Sequence, residues 1–396
     1  MEEAFFRTHT YLVEHTEAPV RRTLMDEIDW NDRMIGIKGT RGVGKSTFLL
    51  QYAKEHFGPY DRKCLYVNMN NFYFQSRGIA DFAGDFVNQG GRTLLIDQVF
   101  KQQDWSKELR KCYDLYPELK IVFTGSSVMR LKEENPELNG IVKSYNLRGF
   151  SFREYINLKT GNDFQPYELE DILRNHEHII KQILPKVSPM KYFNDYLHHG
   201  FYPFFLEQRN FTENLLKTMN MMTEVDILLI KQIELKYLPK IKRLFYELAV
   251  EGAKAPNVSQ LAESINTSRA TVMNYIKYLA DSRLINMIYP DGQDFPKKPS
   301  KVMMHNTNLM YAIYPIQIDK QEVMETFFVN SLWKDHKVHQ GGKDHYYTVD
   351  GNRKFRICDA QTPNKMRSNP DTIYARYNTE VGKDNKIPLW LLGFLY

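Results

Sequence analysis

A chain of 396 residues has room for about two to four domains at roughly 150 residues each, every one large enough to bury its own core. Hydrophobic residues at 42% and charged residues at 26% exclude a wholly disordered, collagen-like or coiled-coil chain. With 53 Lys and Arg against 48 Asp and Glu, the formal charge is +5, a balance that admits nucleic acid as a partner without arguing for it.

No stretch approaches the roughly 18 apolar residues of a membrane span, and Met1-Glu2-Glu3 is the reverse of a basic secretory start. A cytoplasmic chain with no membrane contact is expected. The three cysteines, Cys64, Cys112 and Cys358, show no CxxC spacing, so buried, reduced thiols are expected rather than a disulfide framework or a zinc site.

Four short apolar runs come first, at 34–37, 64–69, 93–96 and 121–123, each bounded by glycine or polar residues and separated by helix-length segments. Such runs are the buried strands of a parallel sheet in an α/β domain. After Phe150 the pattern becomes helical: Leu169, Ile172, Leu173, Ile179, Ile180, Ile183 and Leu184 recur at helical spacing, and 215–238 continues in helix-forming residues. Near Ala255-Pro256 two short helices are expected, joined by a polar turn and followed by a β-like run at 284–288 that Pro290-Asp291-Gly292 closes. Lys297-Lys298-Pro299 reads as a linker, and the last hundred residues mix strand-like runs such as 354–357 and 389–395 with turns, the pattern of a small α/β domain. The expected segments are 1–160, 161–238, 239–296 and 297–396.

The strongest motif follows the first strand. Gly39-Thr40-Arg41-Gly42-Val43-Gly44-Lys45-Ser46 matches G-x-x-x-x-G-K-[ST] at every fixed position and opens a helix through Thr47. The glycines let backbone N–H groups converge on phosphate oxygens, and the helix N-terminus adds its partial positive charge. ATP is therefore the expected ligand of 39–47, with Lys45 bridging the β- and γ-phosphates and the Ser46 hydroxyl on Mg²⁺. Lys-Ser after the third glycine has no purely structural reason.

About fifty residues downstream, Thr93-Leu94-Leu95-Ile96-Asp97 is a hydrophobic strand ending in a carboxylate, at the sheet edge where ligands of open α/β sheets bind. Asp97 is expected to hold the Mg²⁺ shell. ATPases with an extra strand between the loop and the aspartate strand usually place glutamate next to that aspartate to polarise the attacking water; here the residue is Gln98. Glutamine orients a water but does not take its proton at neutral pH, so general-base help worth about 10²–10⁴-fold is missing. Either the natural protein is a slow switch or the chain carries a Glu→Gln change. Thr124, which ends the run Ile121-Val122-Phe123 ahead of Gly125-Ser126-Ser127, is placed to sense the γ-phosphate or the water. Arg130, Arg148 and an arginine from a neighbouring subunit are the candidates to complete the site, which leaves oligomerisation open.

Residues 258–265 form a short amphipathic pattern, and after Asn266-Thr267 the Ser268 hydroxyl is suited to cap a second helix whose buried stripe is Val272, Ile276 and Leu279. This reads as a winged helix. Arg269, Thr271, Asn274 and Lys277 face outward, donors suited to phosphates and base edges of double-stranded DNA, while a role in protein assembly is the alternative.

Together these residues resemble prokaryotic P-loop ATPases of the AAA-like, archaeal-ATPase type with a C-terminal restriction-endonuclease-like domain of unknown function. The matching stretches are 39–47, 94–97, 120–127, Phe150-Ser151-Phe152-Arg153-Glu154-Tyr155, Gly200-Phe201-Tyr202-Pro203, Asn306-Thr307-Asn308-Leu309-Met310-Tyr311, Glu325-Thr326-Phe327-Phe328 and Ile387-Pro388-Leu389-Trp390. The resemblance implies an N-terminal ATPase, a helical lid, a winged helix and a degenerate nuclease fold. The chain departs from it at Gln98, at Gly140-Ile141, where an arginine is usual, and at Phe355-Arg356-Ile357, where an acidic residue is expected. Metal-dependent DNA cleavage needs at least two acidic ligands near a lysine, and Asp350, Asp359 and Lys365 do not stand at that spacing, so no nuclease activity is expected. The expected function is an ATP-binding, slowly hydrolysing switch coupled to DNA or to a protein partner. The alternative is a DNA-binding regulator with structural nucleotide and negligible turnover.

Overall fold

The structure, a computed structural model, describes residues 2–129, 131, 135–207, 210–342, 346–361 and 369–396. By packing the chain divides once, after Arg148, into a unit of residues 1–148 and a unit of residues 149–396.

In the first unit α1 (Glu2–His15) and the short α2 (Leu24–Glu27) precede an alternation of strands and helices: β1 (Met34–Gly39), α3 (Lys45–His56), β2 (Cys64–Asn68), α4 (Ile79–Asn88), β3 (Thr93–Asp97), α5 (Trp105–Leu115), β4 (Lys120–Ser126) and β5 (Lys143–Asn146). The strands form one parallel sheet in the order β2-β3-β4-β1-β5. Ile35, Ile37, Leu94, Leu95, Ile96, Val122 and Phe123 have no exposed surface. Burying each contributes about 1.5–3 kcal/mol, which is why the central strands carry uninterrupted apolar runs. β5 is the strand that apolar runs do not reveal: Lys143-Ser144-Tyr145-Asn146 is a polar edge strand, exposed at both ends. Because β1 and β3 both flank β4, the C-terminal ends of all three, Gly39, Asp97 and Ser126, come to one edge of the sheet. At the opposite side α1 covers the edge strand β2, where His9 Nδ1 accepts the Tyr66 backbone N–H at 3.0 Å. That contact satisfies an edge donor that would otherwise be buried without a partner.

The second unit begins with α6 (Phe152–Thr160), which a capping box of Ser151 and Glu154 starts and Gly161, at φ 68°, stops. There follow α7 (Leu169–Ile183), α8 (Met190–Asp195), α9 (Phe211–Met221), α10 (Leu228–Lys231) and α11 (Leu238–Glu251). α12 (Val258–Ser264) and α13 (Arg269–Asp281) make a helix-turn-helix, and β6 (Ile285–Ile288) pairs antiparallel with β7 (Lys301–Met304). α14 (Thr307–Ile313) and α15 (Lys320–Leu332) lead to a mixed sheet of β8 (Val338–Gln340), β9 (Tyr347–Val349), β10 (Arg353–Asp359), β11 (Thr372–Tyr377) and β12 (Lys386–Pro388), in the order β12-β11-β10-β9-β8. β8, β9 and β10 run antiparallel, and β10, β11 and β12 run parallel. The run 389–395, expected to be strand-like, is a buried 3₁₀ segment, Leu389–Phe394. Its apolar density is that of a core element, and composition alone does not separate a buried helical turn from a buried strand. Phe152, Ile172 and Ile183 share one buried cluster with Phe328, Phe355, Ile357 and Trp390, so α6 and α7 pack into the same core as α15 and the C-terminal sheet.

Candidate functional site

The loop between β1 and α3 has the backbone that its glycines permit. Gly42 (φ 86°) and Gly44 (φ 94°) lie in the left-handed region, which other residues occupy at a cost of about 1–2 kcal/mol. A Cβ on Gly39 would lie 2.4 Å from the Leu147 carbonyl oxygen, so the strand end admits no side chain there, whereas the Cβ direction of Gly44 is open. Lys45 Nζ donates to the carbonyls of Gly39 and Thr40, each at 2.8 Å, which holds the ammonium against the loop it serves. Thr40 and Val43 are buried, Gly42 and Arg41 are half-buried, and Ser46 and Thr47 at the head of α3 are exposed. The buried Arg22 braces the loop from behind, donating to the carbonyls of Val43 at 3.2 Å and Arg148 at 2.7 Å.

Asp97, only 1% exposed, lies at the centre of a hydrogen-bond network. Its Oδ2 accepts from Ser46 Oγ at 2.6 Å, Tyr66 OH at 2.8 Å and Asn68 Nδ2 at 3.0 Å; its Oδ1 accepts from Thr124 Oγ1 at 2.5 Å. The structure thus brings together the loop serine and the strand-end aspartate, 51 positions apart. It adds two residues that sequence reasoning missed, Tyr66 and Asn68. They alternate at the end of β2, where β2 pairs Tyr66 with Leu95 and Asn68 with Asp97. The available signal was polar groups at i and i+2 ending an otherwise apolar strand. Burial and the neighbouring Asp97 charge push the Tyr66 phenol well above its usual pKa, so it stays protonated and donates.

Thr124 is fully buried, and its hydroxyl is engaged twice, donating to Asp97 and accepting the Gln98 backbone N–H at 2.9 Å. Gln98 itself is half-buried in the left-handed region (φ 56°, ψ 48°), the turn that aims its N–H at Thr124. Non-glycine residues held there cost about 1–3 kcal/mol and are concentrated at functional sites. Gly140 also has a positive φ of 79°, a backbone that resists the arginine usual at Gly140-Ile141 in the resembling family. Of the arginine candidates, Arg148 is half-buried and Arg130 lies outside the described residues.

Among the described residues no group of three or more His, Cys, Asp and Glu gathers to hold a metal ion. A hydroxyl and a carboxylate 2.6 Å apart beside the loop 39–47 would suit Mg²⁺ instead, which takes few protein oxygens and completes its shell with water and ligand phosphates. The cysteines are free: Cys64 and Cys112 are buried, Cys358 is half-buried, and burial pushes the Cys112 thiol up to about 12.

On α13 the cap is as read, Ser268 Oγ accepting the Thr271 N–H at 3.1 Å. Arg269 and Asn274 are exposed and Thr271 is half-buried. Lys277 is committed to Asp281 at 2.6 Å with 24% of its side chain exposed, so it does not present a bare charge beside the other three. In the C-terminal sheet Asp350 accepts from the Lys337 N–H and Arg353 and bonds His336, Asp359 accepts from Asn378, and Lys365 lies outside the described residues.

Residues 31–156 match the family described as AAA domain. Over this segment the chain is similar to an AAA domain. The matched segment runs from just before β1 into α6 and contains the loop 39–47, Asp97 and Thr124. Residues 190–320 match a second family, described as a domain of unknown function (DUF8612). An uncharacterized protein of Methanocaldococcus jannaschii is 27% identical over 286 residues, which cover 68% of this chain and 59% of the relative's length. Among solved structures, the Aeropyrum pernix ORC1 protein in complex with DNA is similar at a TM-score of 0.30 and 11% identity, over 80% of this chain and 92% of that one. AMPPCP-bound DnaA from Aquifex aeolicus is similar at a TM-score of 0.23 and 13% identity, over 71% and 88%. Neither likeness assigns a residue of the present site. No helix among the described residues is long and apolar enough to cross a membrane.

Proposed function

We propose that the AAA-like domain binds Mg-ATP in the loop 39–47 and hydrolyses it slowly, and that the bound nucleotide acts as a switch. The observation that carries this reading is the 2.6 Å approach of Ser46 Oγ to Asp97 Oδ2 beside a lysine held at the loop mouth. Lys45 would exchange its bonds to the Gly39 and Thr40 carbonyls for phosphate oxygens, and the backbone N–H groups of 39–47 would bind the rest of the phosphate tail. Ser46 and Asp97 would hold Mg²⁺, which when bound neutralises charge on the β- and γ-phosphates. Gln98 orients the attacking water without accepting its proton, and that sets the slow rate. Thr124, already bonded to Asp97 and Gln98 N, supports both neighbours rather than reading the γ-phosphate directly.

Two substitutions test the reading. Lys45→Ala is expected to abolish uptake of a labelled ATP analogue, and Gln98→Glu to raise phosphate release by about 10²–10⁴-fold. Binding unchanged in the first overturns nucleotide recognition by the loop. Negligible turnover in both the parent and Gln98→Glu supports the regulator with structural nucleotide instead.

A DNA-binding role belongs to the same reading. Residues 239–296 are then a winged helix, with 161–238 a lid, 297–396 a nuclease-like fold lacking cleavage chemistry, and the cytoplasm as the compartment. The helix-turn-helix followed by a two-stranded ladder, with Arg269 and Asn274 exposed on α13, supports it. Duplex binding is expected to weaken as salt rises, and Arg269→Ala to weaken it at every sequence tested and to lower the salt slope by about one. Lys277→Ala is expected to do less, because its ammonium is paired with Asp281. The absence of salt-dependent binding removes the DNA arm and leaves a protein partner.

A further inference from the structure

An aspartate ending a strand at an open sheet edge is ordinarily free to turn about its side-chain bonds. Asp97 is not, because four donors hold its two oxygens. Three of the four come from the sheet itself: Tyr66 and Asn68 from β2 on one side, and Thr124 from β4 on the other. Only Ser46 belongs to the loop and helix that meet the nucleotide.

The chemistry of Tyr66 needs a reason. The residue is only 6% exposed, and a phenylalanine would fill the same space without burying a hydroxyl. A buried hydroxyl is unfavourable unless it is bonded, and this one donates to a carboxylate at 2.8 Å, a charge-assisted bond of the stronger kind. The backbone of Tyr66 is tied on its other edge as well, by His9 Nδ1. Asn68 is held by the strand pairing that sets it opposite Asp97, and its own Oδ1 accepts the Asn70 N–H at 2.9 Å, which orients the amide so that Nδ2 faces the carboxylate.

We propose that Tyr66 and Asn68 are positioning residues of the magnesium site: they lock Asp97 in the rotamer that turns Oδ2 toward Ser46. The assignment rests on the Mg-ATP reading of the loop. When the Ser46 hydroxyl turns to a cation, Oδ2 loses one of three donors and keeps two, so the carboxylate stays in place without reorganising. Partners that orient a metal-binding group in this way typically account for about 10–100-fold in metal affinity.

The test uses the full chain in three forms: parent, Tyr66→Phe and Asn68→Ala. Binding of a fluorescent ATP analogue is titrated in EDTA and against rising Mg²⁺, and Mn²⁺ binding in the presence of ADP is read by electron paramagnetic resonance. Tyr66→Phe keeps the ring and removes only the hydroxyl, so affinity in EDTA is expected to match the parent, while the Mg²⁺ concentration for half-maximal tightening rises about tenfold or more. Asn68→Ala is expected to move the same midpoint in the same direction. A purely structural role for the two residues predicts equal loss of binding with and without metal. That pattern, or midpoints within about twofold of the parent in both variants, overturns the assignment alone. A parent that binds nucleotide under neither condition overturns the phosphate-loop reading, and this assignment with it.

Discussion

His9 supplies the sharpest test of how the parallel sheet of the first unit is held together. It is 1% exposed on α1, its Nδ1 accepts the Tyr66 N–H at 3.0 Å, and its Nε2 is buried with no hydrogen-bond partner among the described residues. Burial depresses its pKa from 6.5 to about 4. The folded chain therefore keeps this ring neutral at a pH where the unfolded chain has already protonated it. The resulting stability is fully present above the unfolded value of 6.5 and is lost as pH falls toward about 4, below which it is constant. A histidine with those two values accounts for about 3 kcal/mol across the window, at a maximal slope of about 1.4 kcal/mol per pH unit.

The comparison is between the parent and His9→Gln, whose amide oxygen is able to accept the Tyr66 N–H but does not titrate. Urea unfolding is followed by pulsed hydrogen exchange of peptides covering β2, so that the unit of residues 1–148 is read separately. At about pH 7.5 the two chains are expected to lie within about 1 kcal/mol of each other, and between about pH 6.5 and 4.5 the parent is expected to lose about 2 kcal/mol more than the variant. Every other group is common to both chains and cancels in the difference. A difference that stays constant within about 0.5 kcal/mol over that range refutes the claim that a neutral His9 holds the β2 edge.

Thr124→Val preserves shape but strips the hydroxyl that links Asp97 to the Gln98 N–H. The buried Asp97 Oδ1 and the half-buried Gln98 N–H each lose their partner, and urea titration is expected to show a loss of about 2–4 kcal/mol, together with reduced ATP turnover. In the second unit Trp390, 1% exposed and 5.5 Å from Phe394 by ring centroids, anchors the cluster shared by α6, α7 and the C-terminal sheet. Trp390→Ala is expected to lower stability by about 3–5 kcal/mol, read by loss of exchange protection in both α6 and β10. Loss of protection in β10 with α6 unaffected would show that the two do not share one cooperative core.

The elements that were legible in the sequence are those whose conformation is set locally. Gly42 and Gly44 permit the left-handed backbone that they adopt, and Lys45 and Ser46 follow them directly, so the turn between β1 and α3 needed only its own eight residues and the strand ahead of it. Asp97 was readable because an apolar strand ending in a carboxylate is a pattern in one stretch of chain. β5 was not, since a polar edge strand lacks the apolar signature of its buried neighbours, and the run 389–395 was mistaken because burial looks alike in a strand and a helical turn. Lys277 was expected to face outward with Arg269, yet Asp281 four residues later claims its charge, a pairing that helical spacing alone makes available but does not guarantee.

By itself, the sequence determined a glycine-rich turn between β1 and α3 that carries Lys45 and Ser46, a strand-end aspartate and a glutamine in place of the expected glutamate. The tertiary structure alone decided what surrounds them: Tyr66 and Asn68 meet Asp97 only because β2 lies beside β3 in a particular register, Thr124 meets it only because β4 lies on the other side, and His9 reaches Tyr66 only because α1 lies against β2. Backbone conformation is imposed by bonded neighbours and is written into consecutive residues. A hydrogen bond between strands depends on sheet order and register, which the whole core selects together.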